Sequence, residues 1–90
     1  MLKILASKSF KKSYTRLKKR GYDLSLLTNT IQILANGINL PPKYKDHYLQ
    51  GNYKGYRECH IQPDWLLIYK ISEDKLILVL ADTGTHSDLF

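Results

Sequence analysis

Ninety residues, a hydrophobic content of 43% and a net charge of +6, from 14 lysines and arginines against 8 acidic residues, describe one small basic domain spanning 1–90. That composition excludes a disordered chain, and no stretch approaches the roughly 18 apolar residues of a membrane helix. One cysteine cannot close an intramolecular disulfide, which fits a reducing cytoplasm, and the basic excess favours a polyanionic partner.

The chain opens on M-L-K-I-L-A-S-K-S-F-K-K, too short in apolar length for a signal peptide. Leu2 to Ala6 reads as a first strand, and Ser7 or Ser9 can cap the helix that follows. In that helix Phe10, Tyr14 and Leu17 share a face, lysines and arginines crowd the rest, and Gly21 ends it. Asp23 caps a second helix whose apolar stripe is Leu24, Leu27, Ile31, Leu34 and Ile38, stopped by Asn36-Gly37. A link this short makes the two helices an antiparallel hairpin.

An irregular connection with Pro41-Pro42 follows, and Leu49 can open a short extended piece. Tyr56 to Ile61 is a strand, Gln62-Pro63-Asp64 a turn, and Trp65 to Ile71 and Leu76 to Ala81 are apolar strands joined at Glu73-Asp74. Strands apolar on both faces belong at the centre of a sheet. The order β-α-α-β-β-β predicts an α+β domain, with a helical hairpin packed on a mostly antiparallel sheet.

Titratable and aromatic groups concentrate in Y-K-D-H-Y-L-Q-G-N-Y-K-G-Y-R-E-C-H-I-Q-P-D-W-L-L-I-Y, residues 44–69, and the tail T-G-T-H-S-D-L-F adds the third histidine. In a strand through this stretch Tyr56, Glu58 and His60 share one face, while Cys59 and Ile61 face the core. Three histidines (His47, His60 and His86) and Asp64 on a basic, aromatic surface suit acid–base chemistry on RNA. Lysines and arginines neutralise phosphates and aromatic rings stack on unpaired bases. On local grounds alone Trp65 is more often core than a base platform, and Asp64 more often a plain turn residue. With no H-x-x-x-H or C-x-x-C spacing, neither a metal nor another cofactor is expected. Cys59 beside His60 makes a poor nucleophile pair, because neighbours on a strand face opposite ways.

The elements D-H-x-L-x-G, R-E-C-H-x-x-P-D and G-T-H-S-x-L-F together resemble the YafQ branch of the RelE/ParE superfamily, the toxins of bacterial type II toxin–antitoxin pairs. The resemblance covers essentially the whole chain. It implies the RelE-like fold and a cytoplasmic, ribosome-dependent mRNA endoribonuclease that cuts A-site codons without a metal. It also implies partners: ribosome and mRNA, a cognate antitoxin (DinJ-like, of ribbon-helix-helix type), and operator DNA only through the antitoxin complex. No membrane is involved. The family's functional positions match His47, His60, Asp64, Trp65, His86 and Phe90. His86 would be the general acid and His47 the general base; Asp64 and His60 would orient or polarise them, and Trp65 and Phe90 would position nucleotides.

One departure stands out. Family members usually carry arginine two residues before the conserved glycine, where this chain has Asp82 ahead of Gly84. Lys45, Lys54 and Arg57 are the cations available to compensate at the phosphate. Two other functions compete: a ParE-like toxin that binds gyrase and cuts nothing, and a weakly active toxin that serves mainly as corepressor with its antitoxin.

Overall fold

The computed structural model of the chain describes residues 1–90, and its helices begin and end where the caps predict. Helix α1 spans Lys8–Lys19, with Ser7 Oγ accepting the Phe10 N–H at 3.0 Å. Its inner face buries Phe10, Ser13 and Leu17, and its cationic last turn complements the helix dipole. Gly21 takes a φ of 82°, which lets the Gly21 and Tyr22 N–H groups return to the carbonyls of Lys18 and Leu17. Helix α2, Leu24–Ala35, is capped by Asp23, whose carboxylate accepts the Ser25 N–H at 3.1 Å. Leu27, Thr30, Leu34 and Ala35 are its buried residues. Ile38, expected on the same stripe, lies beyond the helix end and is exposed.

Five strands form one sheet in the order β1-β5-β4-β3-β2: β1 is Lys3–Ala6, β2 His47–Tyr48, β3 Arg57–Gln62, β4 Trp65–Ser72 and β5 Ile77–Gly84. Only β1, on the edge, runs parallel to its neighbour β5; the other pairings are antiparallel. Strand β4 is central, and Trp65 through Tyr69 are all buried, which explains its unbroken apolar run. The core between helices and sheet joins Phe10, Leu17, Leu27 and Leu34 to Cys59, Trp65, Leu67, Tyr69, Leu78 and Leu80. Each such side chain contributes about 1.5–3 kcal/mol by leaving water. Leu66 and Ile68 are buried outside that cluster, on the opposite face by strand alternation.

The structure departs from the sequence-based expectation in three places. The extended piece before Gly51 is β2, and it contains His47 itself. Leu76 is not a strand residue: it stands in the β4–β5 turn at a φ of 54° and is exposed. The tail forms a one-turn helix, α3, over His86–Leu89. No helix is long and apolar enough to cross a membrane.

Candidate active site

Strand alternation on β3 points Glu58 and His60 away from the helices and Cys59 into the core. Burial pushes the Cys59 thiol up to about 12, so it is inert at neutral pH. The β2–β3 register sets His47 directly opposite Glu58. Glu58 Oε1 then lies 3.5 Å from His47 Nε2 and 3.8 Å from His60 Nε2. Glu58 is only 5% exposed. The two imidazoles are the nearest titratable side chains to this buried carboxylate. Glu58 is the residue that sequence reasoning left out of the site, although it had placed it on the face of His60.

The third histidine arrives from the far end of the chain. Thr85 caps α3, its hydroxyl accepting the Asp88 N–H, while Asp88 Oδ2 accepts the Thr85 N–H at 3.0 Å. The Arg20 guanidinium grips the same carboxylate in a fork, at 2.8 and 3.2 Å. The Arg20 bond, then the Thr85 N–H, hold the Asp88 carboxyl well below the usual carboxylate range. His86, the first residue of this turn, places Nδ1 at 2.6 Å from Asp64 Oδ1, and the same oxygen accepts the His86 backbone N–H at 3.0 Å. Those two bonds, the backbone one first, lower the Asp64 carboxyl below its ordinary value. The His86 and His60 ring centroids are 5.9 Å apart. Asp64, His86, His60, Glu58 and His47 therefore follow one another in a continuous row across the turn, the tail, β3 and β2.

The outer histidines are held differently. His47 Nδ1 lies 2.7 Å from the Lys45 carbonyl, which can only accept, so Nδ1 carries a proton and Nε2 is the nitrogen turned to Glu58. His86 Nδ1 faces a carboxylate, and its Nε2 makes no hydrogen bond within the protein. No three His, Cys, Asp or Glu side chains converge as a metal-ligand set.

The remaining expected site residues divide. Phe90 is 67% exposed, edge-on to Tyr53 at 6.0 Å, and open to a flat ligand. Lys45 and Lys54 are exposed on the loops flanking β2. Trp65 is not a platform for bases: it is 1% exposed, packed edge-on against Tyr22, with Nε1 donating to Thr83 Oγ1 at 3.0 Å. Arg57 is not available to a phosphate either. Its guanidinium forks onto Asp46 at 3.1 and 3.0 Å, and Asp46 also accepts the Tyr69 hydroxyl, one residue out of phase with the histidine face. Asp82 turns to α1, where its Oδ1 accepts Ser13 Oγ at 2.5 Å and the Thr83 N–H at 2.8 Å. A bulge in the β4–β5 ladder between Ile68 and Tyr69 lies beside it. Lys70 Nζ lies 5.5 Å from the Tyr56 ring centroid.

The model of the family described as bacterial toxin of type II toxin–antitoxin system, YafQ, matches residues 2–90. The mRNA interferase toxin YafQ of Escherichia coli K12 is 46% identical over 85 residues, 93% of this chain and 90% of that protein. A metal-bound toxin from Helicobacter pylori superposes with a TM-score of 0.93 at 48% identity, covering both chains completely. A chain of the E. coli DinJ–YafQ complex superposes at 0.91 with 42% identity, over 100% of this chain and 99% of that one. This chain belongs to the YafQ family of toxins of bacterial type II toxin–antitoxin systems.

Proposed function

We propose that this toxin is an endoribonuclease that cuts mRNA in the ribosomal A site and so halts translation in the cytoplasm. The observation that carries this reading is the unequal support of the two outer imidazoles. His47 gives its Nδ1–H to a neutral carbonyl, so the lone pair of its neutral form is on Nε2, which suits a base. His86 gives its Nδ1–H to the Asp64 carboxylate, so the proton a protonated ring can give up is the one on Nε2, which suits an acid. His47 Nε2 takes the proton of a ribose 2′-hydroxyl as O2′ attacks the adjacent phosphorus. The P–O5′ bond breaks, and the leaving oxygen takes the proton from His86 Nε2. The products are a 2′,3′-cyclic phosphate and a free 5′-hydroxyl, with no metal in the step. Glu58 and His60, between the two, supply the polar floor that orients His47. Lys45 and Lys54 neutralise the phosphate charge, and Phe90 stacks on a base beside the cut. Trp65 supports the site from beneath, through the core.

The same surface suits an antitoxin of the kind that partners the E. coli relative, an acidic segment covering the cationic site in place of RNA. The test is expression without antitoxin, followed by mapping of mRNA ends in a translating extract. Wild type should arrest growth and leave cyclic phosphate ends, and His86→Ala should slow cutting about 10²–10⁴-fold. Intact mRNA together with inhibited gyrase supercoiling would overturn the reading in favour of a gyrase-binding toxin.

A further inference from the structure

A cavity adjoins the row of histidines and no step above uses it. It encloses about 340 Å³ between α2, the turn at Pro42–Tyr44 and the outer edge of β3. That volume falls within the roughly 300–1,000 Å³ of small-ligand pockets. Leu26, Ile61 and Pro63 give it apolar walls, and His60 joins it to the row. Lys43 and Lys45 stand at its rim with Tyr44 between them. Strand β2 pairs only with Arg57 and Glu58, so the β3 edge from His60 to Gln62 has no strand beside it. The side-chain amide of Gln62, on the same wall, both donates and accepts.

Apolar walls suit the faces of a planar ring, an amide and an open strand edge suit a ring's polar rim, and two ammonium groups suit flanking phosphates. We propose that this cavity is a nucleobase subsite: it takes one unpaired base of the RNA next to the cut nucleotide, and Gln62 is its specificity-determining residue. The proposal rests on the reading of the row as RNA-cleaving. It adds a second point of attachment, opposite in character to the exposed Phe90, so that RNA is held at a walled pocket as well as on an open ring.

Binding can be read apart from cleavage. Trinucleotides of single-stranded RNA, methylated at every 2′-oxygen so that they cannot be cut, are titrated into the free protein and amide NMR shifts are followed. The shifts should include Tyr44, Ile61 and Gln62. Leu26→Trp, which fills the cavity, should weaken affinity about 5- to 150-fold, the worth of one base contact. Gln62→Ala should erase a preference among base types of about 5-fold or more, the scale of one amide–base pairing. In a translating extract it should broaden the base distribution at one position beside the cut. Gln62 is exposed, so this variant keeps the fold and decides the matter if Leu26→Trp does not fold. Shifts confined to Tyr53 and Phe90, or unchanged affinity and base preference in both variants, overturn the subsite. Loss of cleavage by wild type with binding at the cavity intact would instead overturn the reaction assigned to the row.

Discussion

Gly84→Ala tests how tightly the catalytic turn is built. Gly84 ends β5 one residue before the cap of α3, at a φ of 156°. A Cβ there would stand 2.9 Å from Asp88 Cβ and 3.0 Å from Asp88 Oδ2. Carbon pairs rest at about 3.5–4.0 Å, so the substitution demands a retreat of roughly half an ångström or more. Asp88 cannot retreat alone, because Arg20 and the Thr85 N–H hold its carboxylate. The turn must move as a unit and take His86 with it, or the clamp must open. Misplacing a catalytic group by an ångström can cost about 10²-fold, so half of that should cost about 10-fold in rate. Backbone strain at such a site is about 1–3 kcal/mol, and α3 contributes nothing to the buried core, so the lower end applies. That lower end corresponds to a melting point about 4–8 °C lower in a domain of this size. Cleavage by purified toxin in a translating extract, measured beside thermal melting, gives both numbers. A Gly84→Ala protein that melts like wild type and cuts within twofold of its rate would refute the claim that the turn's position sets His86.

Other substitutions separate site from scaffold. Trp65→Ala should cost about 3–5 kcal/mol of stability, whereas Trp65→Phe, losing mainly the Thr83 bond, should melt lower yet still cut when folded; a Phe variant of unchanged melting point that no longer cuts would restore Trp65 to the substrate surface. Asp82→Arg should lower the melting point by breaking the Ser13 bond and bring no gain in rate, and a roughly 10-fold faster variant would show that residue 82 reaches the site. Arg57→Ala should destabilise the fold through Asp46 and Tyr69 while leaving the salt dependence of ribosome binding unchanged; Lys45→Ala should instead reduce the salt slope by about 1. The carboxyls of Asp64 and Asp88 are both lowered in the folded state, so the stability their bonds give the tail is fully present above the unfolded carboxylate value of about 4 and is lost as pH falls from there through the lower folded values. Hydrogen exchange at the His86 amide should accordingly stay slow from neutral pH down to about 4 after correction for intrinsic rates, and tail opening between pH 5 and 7 would contradict the clamp.

Short-range features were legible in the chain by itself. Ser7, Asp23, Gly21 and Gly37 marked the helix ends because caps are local hydrogen-bonding devices that act within a few residues. The apolar spacing of Phe10 and Leu17, and of Leu27 and Leu34, identified inner helix faces, and the run from Trp65 identified the central strand. Alternation placed Glu58 and His60 on one face and Cys59 on the other. The assembled site depended on pairings that no local pattern encodes. The β2–β3 register brought His47 onto Glu58, and the tail turn carried His86 to Asp64, 22 residues earlier. Arg20 met Asp88 across 68 residues, which turned an apparent member of a basic cluster into the anchor of the tail turn. Asp82 met Ser13 of α1 across 69 residues, and packing against Tyr22 buried Trp65. Periodicity and caps report the forces along a few residues of chain. Register, bulges and burial are settled by how distant strands and helices pack together, and that packing decided which charges pair and which histidines share a surface.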